Sequence, residues 1–183
     1  MLGLSQSVSS SSGAIERFPV VSYSSDFSSS TDGFSSFYDN DTPAATLTGN
    51  VDFGGKTDVL RVSWSASELD GLFYIRKSFP DLNDQDQLSP VITFSADVYY
   101  DFTSSGDVTT LVGAGHAAAG QNQLVGQSVA QDQWVTISGK IKPNLNISFD
   151  EYLYIGFVDA ADAPVSGDNM YVANIAFTFE DRD

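Results

Sequence analysis

The stretch Ser89-Pro90-Val91-Ile92-Thr93-Phe94-Ser95-Ala96-Asp97-Val98-Tyr99-Tyr100-Asp101-Phe102 decides the fold class. Ile92, Phe94, Ala96, Val98 and Tyr100 fall on one side of an extended chain, and Thr93, Ser95, Asp97 and Tyr99 on the other. This is a period of two, rich in β-branched and aromatic types. Wound into a helix, the same apolar groups would scatter around the surface. The stretch therefore reads as a long central strand with one buried face.

The same alternation recurs on both sides of it. Leu60, Val62 and Trp64 oppose Arg61 and Ser63, while Phe73 and Ile75 oppose Leu72, Tyr74 and Arg76. Val108–Gly113 and Gln123–Val129 read as a pair, and Trp134–Ile141, Glu151–Val158 and Met170–Phe179 as further strands. Toward the N-terminus, a strand around Phe18–Tyr23 precedes an Asp32-Gly33 turn, after which Phe34 and either Phe37 or Tyr38 return to the core. Short strands follow at Ala45–Leu47 and Val51–Phe53, closed by a Gly54-Gly55 turn. Roughly ten short strands separated by turn signals describe an all-β sandwich or barrel. Ile92, Phe94, Val98, Leu60, Val62, Trp64, Ile137 and Ile155 are the expected core, with Trp134 at its edge.

Residues 1–16 have no core of their own. Met1, Leu2, Leu4 and Ile15 are spread along a Ser-rich tether, which divides the chain into an arm over 1–16 and a sandwich domain over 17–183. The opening residues lack both a basic region and an apolar run, so they do not read as a secretory signal.

Composition narrows the partners. With 24 acidic and 8 basic residues the formal charge is −16, which opposes binding to nucleic acid or to an anionic membrane. There is no cysteine, so thiolate metal sites and disulfides are excluded. Enzyme chemistry has few footholds. The glutamates are Glu16, Glu68, Glu151 and Glu180, and none lies in a strand pattern that sets two carboxylates face to face. His116 is the single histidine and sits in a Gly/Ala-rich loop without a nucleophile motif. The loop Asp81-Leu82-Asn83-Asp84-Gln85-Asp86 has closely spaced oxygen ligands but breaks the calcium-loop pattern.

The order of the segments resembles the jelly-roll carbohydrate-binding modules found beside xylanases and cellulases. The likeness runs through Asp26-Phe27, Gly33-Phe34, Leu60-Arg61-Val62-Ser63, Ile92–Tyr100, Trp134–Ile141 and Met170–Phe177. It implies a jelly-roll β-sandwich of two antiparallel sheets, here with an N-terminal extended arm. It also implies a structural calcium held by an early acidic residue and a late acidic pair. The late pair is Ala173-Asn174 in this chain, which weakens that site, and no other cofactor is expected. The opening Met1–Ser5, the Ser-rich arm and Asp26–Phe34 look like small structural proteins of tailed bacteriophages.

Two function classes follow from these likenesses. The first is a non-enzymatic virion structural protein, a capsid decoration or tail part. It would be assembled against other virion proteins and its own copies through Met1, Leu2, Leu4 and Ile15. The alternative is an extracellular carbohydrate-binding module. Its glycan platform would be Tyr74, Arg76 and Tyr99, provided that their strands share a sheet.

Overall fold

A computed structural model of the chain describes residues 21–38, 45–66, 71–78, 91–104, 106–114, 125–141, 152–159 and 164–180. The arm over 1–16, the Asp81–Asp86 loop, His116, Glu16, Glu68 and Glu151 lie outside the described residues.

The described strands are β1 (Val21–Ser24), β2 (Ser35–Tyr38), β3 (Ala45–Phe53), β4 (Lys56–Trp64), β5 (Gly71–Ser78), β6 (Val91–Asp101), β7 (Val108–Ala114), β8 (Val125–Val129), β9 (Val135–Ile141), β10 (Tyr152–Asp159) and β11 (Asn169–Glu180). They form two antiparallel sheets, one ordered β3-β4-β11-β6-β9 and the other β2-β5-β10-β7-β8. β1 and β4 both pair with β11, at opposite ends of this longest strand: Val172 faces Leu60, while Phe179 faces Val21. The result is an all-β jelly-roll sandwich.

Alternation places the core between the sheets. All eight residues expected there, from Leu60 to Ile155, are buried in one apolar cluster. Aromatic rings fill its middle: Trp64 meets Phe73 at 5.0 Å and Phe102 at 5.5 Å between ring centres, and Tyr100 meets Phe157 at 5.9 Å. Tyr100 also carries a hydroxyl into this apolar layer. It pairs with the Thr110 hydroxyl at 2.8 Å, a hydrogen bond that joins β6 of one sheet to β7 of the other. Burial pushes the Tyr100 phenol well above its ordinary pKa.

Turn chemistry matches the sequence signals. Asp32-Gly33 and Gly54-Gly55 all have positive φ, and Gly54-Gly55 closes the β3–β4 hairpin where Phe53 pairs with Lys56. The two short strands expected at 45–47 and 51–53 form one strand, because irregularities at Thr48/Val51 and Val51/Phe53 bend β3 without ending it. Asp168, only 3% exposed, is satisfied in full view of the turn that it holds. Its carboxylate accepts from the Thr103 N–H, the Thr103 hydroxyl and the Val165 N–H at 2.7–3.0 Å.

Candidate functional site

Each sheet has an outward face, and aromatic side chains gather on both. The sheet partition separates the expected platform. Tyr74 and Arg76 lie on β5 in one sheet, and Tyr99 lies on β6 in the other. These three residues therefore do not form one surface. Outward alternation on a strand says which side a residue takes, not which sheet the strand joins.

On the outer face of the β2-β5-β10-β7-β8 sheet, register brings five side chains together. Arg76 is opposite Tyr154 on β10 and opposite Ser35 on β2, which makes Tyr152 and Phe37 its diagonal neighbours. The guanidinium carbon lies 4.3 Å from the centre of the Phe37 ring and 4.3 Å from that of Tyr152. Rings on either side hold the cation by its attraction to their π faces. Tyr74 and Tyr154 form a floor beside it, with ring centres 4.6 Å apart. Both are 1% exposed, so Tyr74 offers no open ring to a ligand, contrary to the expectation. Phe34 takes the core position expected of it, and Phe37, one of the two alternatives named with it, packs on this outer floor.

Two glycines make that floor possible. A Cβ on Gly156 would overlap the Phe73 carbonyl and the Tyr74 ring, and one on Gly113 would overlap the Tyr154 ring. The tyrosine rings thus lie across backbone that has no side chain of its own.

The Arg76 guanidinium has no hydrogen-bond or ion-pair partner among the described residues, and its Nε is buried with no acceptor. Arginine carries five N–H donors in a planar fork. The site therefore holds a half-buried cation, fixed between two half-buried rings, with its donors unspent.

The other outer face is built differently. Phe53 stacks on Tyr171 at 3.6 Å with the rings parallel, and Tyr99 meets Phe53 edge-on at 4.9 Å. Trp134, expected at the edge of the core, lies on this outer face and donates from its indole N–H to the Gly54 carbonyl at 3.2 Å. These rings pin the bent β3–β4 hairpin down onto the sheet. Beside them Asp97, 9% exposed, takes an ion pair from Lys56 at 3.0 Å and hydrogen bonds from Thr136 and from the Asn174 amide. Burial raises the Asp97 pKa, but these hydrogen bonds and the Lys56 charge outweigh it and hold the carboxyl below the usual range. Tyr99 is thus part of a packed cluster that serves the hairpin.

The calcium implied by the sequence resemblance does not fit the described residues. Ala173 offers no side-chain oxygen, and Asn174, at a β-bulge with φ of 52°, donates its amide to Asp97. Asp26 accepts from the Ser28 N–H at 3.0 Å, as a turn residue does. Among the described residues no three His, Asp or Glu side chains converge into a metal-binding group.

The floor and its flanking ring were not anticipated from sequence, although a signal for them is there. In Glu151-Tyr-Leu-Tyr-Ile-Gly-Phe157 the tyrosines and the glycine alternate with Leu153, Ile155 and Phe157. An aromatic face ending in a mid-strand glycine marks a close approach.

No protein-family model matches the chain, and no curated protein matches it. Solved structures do share its fold. The C-terminal family 22 carbohydrate-binding module of Clostridium thermocellum Xyn10B is similar with a TM-score of 0.56 and 12% identity, over 86% of this chain and 92% of that one. A xylan-binding domain of family 22 gives 0.55 and 13% identity, over 88% and 96%. The first family 22 xylan-binding domain of Paenibacillus barcinonensis Xyn10C gives 0.52 and 13%, over 88% and 95%. The likeness to phage structural proteins gains no support from these structures.

Proposed function

We propose that this chain is a non-enzymatic carbohydrate-binding domain that holds a glycan on the outer face of the β2-β5-β10-β7-β8 sheet. The observation that carries the reading is the Arg76 fork, set between Phe37 and Tyr152 with no partner of its own among the described residues. Sugars present apolar C–H faces and a rim of oxygen acceptors. A half-buried ring beside a fixed row of N–H donors complements both. The similar structures support the reading, since several are named as modules that bind carbohydrate or xylan. Fold alone does not confer function, so the weight rests on the site. No observation among the described residues favours a virion structural role.

The test is retardation in native gels containing soluble polysaccharides, neutral and acidic. The wild type should be slowed by at least one polymer, and Tyr152→Ala should be slowed less. Free migration of the wild type through every polymer would overturn the reading.

A further inference from the structure

We infer that Arg76 selects an acidic glycan, its guanidinium meeting the carboxylate or sulfate oxygens of a charged sugar unit. This rests on the reading of the outer face as a glycan site and deepens it.

The chain carries −16, yet the outward positions of β2, β5, β7, β8 and β10 hold no Asp or Glu among the described residues. Among the described residues, Asp32 is taken up by Lys77, and Asp107, just before β7, is bonded to Ser128 at the far edge of the sheet. Asp107 lies six residues along β7 from the register row of Arg76, Tyr154 and Gly113, which is roughly 20 Å. The opposite outer face carries Asp97 and Asp101. Among the described residues, one outer face thus offers a cation with no acid at an outward strand position, and the acids of β6 are on the other face.

The flanking rings of Phe37 and Tyr152 hold the guanidinium and leave its N–H edge as the binding element. That edge matches the two oxygens of a carboxylate or sulfate better than a single sugar hydroxyl, because two parallel charge-assisted bonds form at once. A half-buried cation with no counter-charge among the described residues has also given up hydration, and an arriving oxyanion restores what was lost. The overall negative charge does not cancel this gain for a short ligand, since exposed charges beyond about 8 Å are screened at physiological salt.

The experiment is calorimetric titration of the full chain at 0.15 M salt with trigalacturonic acid and with its fully methyl-esterified form, which keeps the backbone and removes the charge. A second pair, sulfated and unsulfated dextran oligosaccharides, distinguishes carboxylate from sulfate as the source of the oxyanion. Expected is a preference of about tenfold or more for the charged member of at least one pair. Arg76→Gln should bind both members of that pair alike. Arg76→Lys, which keeps the charge but not the fork, should retain part of the preference. Arg61→Gln on the opposite sheet should leave it intact. Equal binding of charged and neutral members by the wild type, or a preference that survives in folded Arg76→Gln, overturns the acidic selection and leaves the glycan reading standing. Binding of none of these probes, together with free migration in every polymer gel, overturns both.

Discussion

Arg76 and Tyr152 sit on adjacent strands of one sheet, diagonal to each other across the β5–β10 register, with the guanidinium carbon 4.3 Å from the ring centre. Tyr152 has two roles in this arrangement: it holds the cation, and its half-buried ring borders the proposed glycan surface. A cation–π contact of this kind contributes about 0.5–2 kcal/mol. Tyr152→Ala should therefore weaken glycan affinity roughly 2- to 30-fold while the thermal midpoint stays near that of the wild type. Tyr152→Phe should retain most of the affinity if the ring is what matters. An affinity loss in Tyr152→Phe equal to that in Tyr152→Ala would show that the hydroxyl is the binding group.

The Tyr100–Thr110 hydrogen bond is a buried polar link between the sheets. Thr110→Val keeps the shape and strands the Tyr100 hydroxyl in an apolar layer, at a cost of about 1–3 kcal/mol. Tyr100→Phe combined with Thr110→Val should cost less than the two single changes summed, because no orphaned group remains. Urea melts of the three variants check this. Strict additivity would mean that the two hydroxyls do not depend on each other.

The central strand offers a direct test of packing. Phe94 is buried beside Phe177, with ring centres 6.4 Å apart, in the core between the sheets. Phe94→Ala should destabilise the domain by about 3–5 kcal/mol in urea. A loss below about 1 kcal/mol would contradict the burial of that face.

A pH dependence follows from Asp32. Its carboxylate accepts from the Tyr23 hydroxyl and the Asp26 N–H, and it pairs with Lys77 at 3.1 Å. Burial raises its pKa, but those hydrogen bonds and the Lys77 charge outweigh burial and hold it below the usual range. A carboxyl lowered on folding stabilises the fold above its unfolded pKa of about 4, and the contribution fades as pH falls through the lowered folded value. The thermal midpoint of Asp32→Asn should therefore lie below that of the wild type at neutral pH. The gap should close as both are acidified below about pH 4. A gap that stays constant down to strongly acidic pH would show that Asp32 acts through packing rather than charge.

Much of the fold is legible in the chain because alternation reports burial directly. β6 and β9 carry apolar or small residues at every second position, β4 does so from Leu60 on, and β11 changes phase once, between Val172 and Ile175, at its bulge; these inward sets are the core. The turns were legible for a related reason, since Asp32-Gly33 and Gly54-Gly55 supply the positive φ that tight turns require. Sheet membership was not legible. It depends on which strands meet over long sequence separations, so Tyr74 and Tyr99 read as neighbours although a whole sandwich lies between their side chains. Of the candidate platform, Arg76 keeps its place as the binding element of the proposed site, and Tyr74 stays only as its buried floor. Its flanking rings come from β2 and β10, and no local pattern around β5 points to them. Trp134 escaped the reading because its partner is a backbone carbonyl of a hairpin that bends back over the sheet.

The central claim is that a glycan lies on the outer face of the β2-β5-β10-β7-β8 sheet, and mapping the bound surface by NMR tests it most directly. Spectra of labelled protein titrated with a polysaccharide fragment retained in the gel assay should show shifts grouped around Arg76, Phe37 and Tyr152. Tyr99, Trp134 and Tyr171 on the opposite face should stay still. Shifts centred on Tyr99, Trp134 and Tyr171, with Arg76 unmoved, would contradict the account.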